Sequence, residues 1–96
     1  MANSKIRQSA KGEDCAVRFP GVCNFDSETT IFAHLGGAGM GRKHQDIFGA
    51  YCCSSCHDIA DGRVQASFTA LEAEVYFYEG IFRTQQMLLD KGLIKI

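Results

Sequence analysis

The sequence predicts a small α+β domain in which a zinc-bound core, built from a strand hairpin and a short helix, is followed by one long C-terminal α-helix. Three observations carry this. Two strand-like runs, ETTIFAHL (Glu28 to Leu35) and IFGAYC (Ile47 to Cys52), flank a glycine-rich polar loop. The stretch CCSSCHD, Cys52 to Asp58, holds three of the five cysteines and one of the three histidines. The last third opens with a helix start signal, continues with an apolar stripe and ends on a glycine.

At 96 residues the chain is one domain. A domain of this size hides only about 60 to 65 % of the surface its unfolded chain exposes, so a covalent or metal staple strengthens a thin core. The start, MANSKIRQSAKGEDC, is polar and basic and lacks the apolar run of a signal peptide. The expectation is a cytoplasmic protein with reduced thiols, whose cysteines serve as metal ligands or catalytic groups rather than bridges. No run approaches the roughly 20 apolar residues of a membrane span. The net charge of -1 gives no global signature of a nucleic-acid binder. Before Asp46, however, Lys5, Arg7, Lys11, Arg18, Arg42 and Lys43 outnumber Glu13, Asp14, Asp26 and Glu28. An ordinary solvated surface accounts for this distribution, with a modest basic face on the N-terminal side as the alternative.

Taken in order, residues 1–14 read as a basic, flexible arm with nothing periodic to bury. Residues 15–62 read as the core. Cys15 and Cys23 flank AVRFPGV, a turn-forming segment. The two strand-like runs then form a hairpin around GGAGMGRKHQD, a connector whose glycines permit positive φ. It is not a phosphate loop of the G-x-x-x-x-G-K-[ST] kind, because Arg42 and Lys43 follow Gly41 with no hydroxyl residue in place. After the second strand SSCHDIAD has no helix breaker before Gly62, which puts Cys56 in the first turn of a short helix. Residues 67–92 form the long helix. Thr69-Ala-Leu-Glu72 fits a capping box, Leu71, Val75, Tyr78, Phe82 and Leu89 form the stripe, and Gly92 stops it. Phe68, Tyr76, Phe77, Ile81 and Leu88 lie off that stripe, so the apolar surface is wider than one small core needs. The excess either covers the metal-bearing part or forms a homodimer contact.

Two thiolates spaced C-x2-C can hold one side of a tetrahedral zinc, and a second pair must close it. The candidate ligands are Cys15, Cys23, Cys53 and Cys56. Cys52 is the spare thiol, and its exchange with Cys53 is left open by the spacing. His57 follows a ligand, and on a short helix it shares a face with Asp61 at i+4, a pair able to hold a second divalent ion. His34, on the first strand, is a partner for it.

These residues carry a resemblance. A histidine on a hairpin strand ahead of C-x2-C-H at a helix start resembles the HNH (ββα-metal) endonuclease core on a zinc-bound treble clef. The combination of C-x-V-R-x-P-G-V-C-N at Cys15 to Asn24, A-H-L at Ala33 to Leu35, G-x-G-R-K-x-x-D at Gly39 to Asp46 and C-x-x-C-H-D-x-x-D-G-R at Cys53 to Arg63 resembles the small prophage-encoded nuclease family of the YbcO type. The likeness covers nearly the whole chain, the long helix included.

The resemblance implies a metal-dependent endonuclease that hydrolyses DNA. His34 is then the general base that deprotonates the attacking water, a task suited to an imidazole, which ordinarily titrates near 6.5. His57 binds a single Mg2+ or Mn2+, completed by Asp61, with Asp46 or His44 as substitutes. Lys43 and Arg63 hold phosphate oxygens. Two departures stand out. No asparagine lies between His34 and His57, and Ala33 occupies a place where many HNH proteins have a metal ligand. The alternative function is a non-catalytic zinc-bound DNA-binding or adaptor module. A third is a thiol-redox protein cycling its C-x2-C pair.

Overall fold

The computed structural model describes residues 4–34, 46–61 and 67–95. Lys43, His44 and Arg63, and the glycine-rich connector, lie outside them, as does the side chain of Asp46. In chain order the elements are α1 (Ser4–Gln8), β1 (Ile31–His34), β2 (Gly49–Cys52), α2 (Ser54–Ala60) and α3 (Ala70–Asp90), with 3-10 turns at Ser27–Thr29 and Asp46–Phe48. The result is a small α+β domain with a two-stranded sheet and a long C-terminal helix.

The strands pair antiparallel, Ile31 opposite Cys52 and His34 opposite Gly49. β1 is shorter than the apolar run suggests. Asp26 caps the 3-10 turn before it, its carboxylate accepting from the Glu28 N–H at 3.0 Å, so Glu28 and Thr29 leave the strand conformation.

All four residues of β2 are buried, and the two-residue period of a strand splits them between two clusters. Ala50 and Cys52 face one made with Cys15, Val17, Phe19, Ala33, Cys53, Cys56, Phe77 and Ile81. Tyr51 faces another made with Ile6, Ala10, Ala16 and Leu88. The N-terminal segment, expected to be a flexible arm, therefore docks. Two apolar residues, Ile6 and Ala10, suffice, because Ser9 Oγ also hydrogen-bonds the Tyr51 hydroxyl at 2.8 Å and Glu13 pairs with Lys91 at 2.5 Å.

The outer edge of β2 would present unpaired amides to solvent were it not covered. The Tyr51 N–H donates to Thr84 Oγ1 of α3 at 3.0 Å, and the Tyr51 carbonyl accepts from the Ala16 N–H at 2.8 Å. Residues 15–17 are thus clamped between β2 and α3. Arg83 Nη1 donates to the Ala16 carbonyl at 2.7 Å. Gly80 permits the approach, since a Cβ there would lie 2.7 Å from Val17 Cγ2 and 2.8 Å from Val17 Cα.

Helix α3 begins and ends where local chemistry places it. The Thr69 hydroxyl accepts from the Glu72 N–H, and the Glu72 carboxylate accepts from the Thr69 N–H at 2.7 Å, a full capping box. At the other end Gly92 has φ 75°, and the Leu93 N–H reaches the Leu88 carbonyl at 2.9 Å, the Schellman pattern. Its buried face corrects the sequence expectation. Phe77, Gly80, Ile81, Thr84 and Leu88 are buried, whereas Leu71, Val75, Tyr78 and Phe82 are exposed. Both faces are apolar, and the close approach at Gly80 together with the hydroxyl of Thr84 decides which one turns inward.

Candidate metal centre and the face beside it

The cysteine site is assembled by two local folds. The first is the loop from Cys15 to Cys23. Phe19-Pro20-Gly21-Val22 forms a tight turn, the Val22 N–H bonding the Phe19 carbonyl at 3.1 Å, with Gly21 at φ 71°. Proline presets the second position of such a turn, and glycine alone accepts the positive φ of the third without strain. The reversal returns Cys23 to Cys15. Phe19, inside the loop, is buried against Phe68 and Tyr76, with ring centroids 5.3 and 6.2 Å away.

The second is the junction of β2 with α2. Cys53 is the N-cap of α2, its sulfur accepting from the Cys56 N–H at 3.4 Å. One turn of helix then places both sulfurs on one side. Asn24 ties the two folds together. Its amide donates to Ser54 Oγ at 3.1 Å and Ser55 Oγ at 3.3 Å, and Ser54 N–H donates to Thr29 Oγ1 at 3.2 Å. Sequence reasoning passed over Asn24 as a functional position; the Asx turn it starts, Asp26 N–H to Asn24 Oδ1 at 2.8 Å, is a local signal that marks it.

The sulfurs of Cys15, Cys23, Cys53 and Cys56 all lie within 4.8 Å of one another. Those of Cys23 and Cys53 are 3.9 Å apart, far beyond a disulfide bond, and all five cysteines are free. With Zn–S near 2.3 Å, sulfurs at two corners of a tetrahedron are about 3.8 Å apart, so the spacing fits zinc. The surroundings fit thiolates too. Backbone N–H groups point at every sulfur: Arg18 at Cys15, Phe25 at Cys23, Cys56 at Cys53 and Phe19 at Cys56. Arg18 and Phe25 both take φ 56°, a left-handed conformation rare outside glycine.

Cys52 stands apart. It is fully buried, and Cys53, not Cys52, is among the four sulfurs that lie close together. Hydrogen bonds from the Cys52 and Cys56 thiols hold Cys15 well below the usual thiol range. The bond to Cys15 and burial push Cys52 up and keep it protonated. Cys56 is raised mainly by the same partner, and burial pushes Cys23 up to about 11.

Beside the cluster, Nε2 of His57 on α2 and Oδ2 of Asp61, which caps the end of that helix, are 3.3 Å apart, both partly exposed. His34 closes β1 opposite Gly49, its ring edge-on to Phe32 at 5.3 Å. Ala33 is buried and pairs with Ala50, so it brings no donor. The sheet packs mainly on α3, which also touches α2. Among the described residues no helix is long and apolar enough to cross a membrane.

Comparison with known proteins gives one family. The model described as "Putative nuclease YbcO" matches residues 4–93. Proteins of that name from Escherichia coli strain K12 and from Enterobacteria phage 82 are each 40% identical over 93 residues, covering 94% of this chain and 96% of theirs. Among solved structures, one titled as a putative bacteriophage protein from Escherichia coli K-12 is 40% identical, with a TM-score of 0.79 over 92% of this chain and all of that one.

Proposed function

The chain belongs to the YbcO family, and from that premise we propose that it is a phage-derived, metal-dependent endonuclease of the HNH type that hydrolyses DNA phosphodiester bonds. The observation that carries the proposal is the His57–Asp61 pair, 3.3 Å apart on a helix whose first turn bears two of the four clustered sulfurs. A zinc held by Cys15, Cys23, Cys53 and Cys56 anchors that helix in a treble-clef arrangement.

His57 Nε2 and Asp61 Oδ2 would hold a magnesium or manganese ion. The two donor atoms lie 3.3 Å apart, close enough for one small cation to reach both. Such an ion supplies charge neutralisation at the phosphate and at the leaving oxygen. His34 takes the proton of the attacking water, and Phe32 restricts the rotation of its ring. Lys43 and Arg63 grip phosphate oxygens in this reading, from positions outside the described residues.

One observation favours a second reading. With Ala33 buried and donorless, His57 and Asp61 are a sparse pair for a catalytic ion, as in a zinc-bound DNA-binding or adaptor module without catalysis. The discriminating experiment is cleavage of supercoiled and linear DNA with Mg(II) or Mn(II), using wild type beside His34→Ala and His57→Ala proteins shown to retain zinc. The nuclease reading expects nicking by wild type and a loss of about 10²- to 10⁴-fold in each variant. Equal behaviour of all three proteins supports the binding module instead.

A further inference from the structure

Helix α3 has a second apolar face that stays exposed among the described residues. Leu71, Val75, Tyr78 and Phe82 are 70, 48, 41 and 67% exposed, and Leu89 continues the line. Their spacing alternates four and three, with Gln85 supplying the one polar step before Leu89. A stripe recurring every 3.5 residues is the seam of one helix wound along another, narrower than the stripe of a helix that only covers a core.

We propose that this face packs against the same face of a second copy, antiparallel about a two-fold axis near Gly80. The stripe is self-complementary in that arrangement: Tyr78 meets the partner copy's position 82, Leu71 its position 89, and Val75 its position 85. A closed two-fold contact requires such pairing of one surface with itself. Charge selects the direction. Glu72, Glu74 and Glu79 lie in the N-terminal half, and Glu79 already faces Arg83 at 3.6 Å. A parallel pair would set Glu72 and Glu74 against their own copies. The antiparallel pair sets Glu72 and Glu74 level with Leu88 and Gln86 of the second copy, so the acid nearest Glu72 is Asp90, two positions on, and Arg83 lies two positions from the level of Glu79. The same acids turn phosphate away, so nucleic acid is the wrong occupant for this face.

The inference does not depend on catalysis. Light scattering on the zinc-loaded full chain should give twice the protomer mass of 10.5 kDa at micromolar concentration. Phe82→Glu, and independently Tyr78→Glu, should halve that mass with zinc content and helical circular dichroism unchanged. Mixed Leu71→Cys and Leu89→Cys proteins, treated with a bifunctional thiol reagent and mapped by mass spectrometry, should join position 71 to position 89. A monomeric wild type, a mass unmoved by both glutamate variants, or bridges joining position 71 to itself would each overturn the proposal.

Discussion

Cys52 and Cys53 are neighbours, equally buried, and turned to different tasks. The last residue of a strand and the cap of the following helix point their side chains in different directions, so one sulfur joins the ligand group and the other hydrogen-bonds Cys15 from outside it. Cys53→Ala is expected to lose zinc and Cys52→Ala to keep one equivalent, measured by metal analysis of purified proteins. Acid should release the metal as well. Cys23 and Cys56 hold their protons in the metal-free fold and must lose them on binding, so affinity falls as pH falls, by up to about tenfold per unit for each proton displaced. Competition with a zinc indicator at pH 7.5 and 6.0 measures the slope; a flat profile would contradict thiolate ligation. That Cys15, Cys23 and Cys56 belong to the cluster was legible, because each lies in a short-range cysteine spacing. The choice between Cys52 and Cys53 was not, because it depends on where β2 ends. Asn24 escaped notice because its partners, Ser54 and Ser55, are thirty residues away in sequence.

At the level of the element, α3 shows both what a sequence states and what it leaves out. Its ends were legible: Thr69 and Glu72 form the capping box and Gly92 the stop, each needing only neighbours within one turn. Its inward face was not, since apolar residues line both sides and the decision lies with Gly80 against Val17 and Thr84 against Tyr51. Gly80→Ala should therefore destabilise the domain by about 1 to 3 kcal/mol through overpacking, although alanine raises helix propensity. Thr84→Val should cost about 1 to 3 kcal/mol by leaving the Tyr51 N–H buried and unpaired. Urea denaturation of both variants tests these values, and a stabilised Gly80→Ala protein would show that Val17 yields easily. Helix α1 was missed for the opposite reason: two apolar residues give no period, and their docking depends on Tyr51 and Leu88.

For the whole molecule, the four clustered cysteines come from the loop before the sheet and from the junction after it, so one ion held by them would join distant parts of a small chain. Removing it with a strong chelator under reducing conditions should abolish the cooperative thermal transition, since binding energy at such a site is folding energy. With four sulfurs around that ion, His57, next to Cys56, would stay turned toward Asp61. In the proposed nuclease the two metals therefore fall to different side chains around α2. X-ray absorption at the zinc edge of the purified protein tests that assignment most directly. The expected result is one zinc with four sulfur neighbours at about 2.3 Å and no nitrogen. A shell containing nitrogen would place His57 on the zinc and contradict the proposed second metal site at His57 and Asp61.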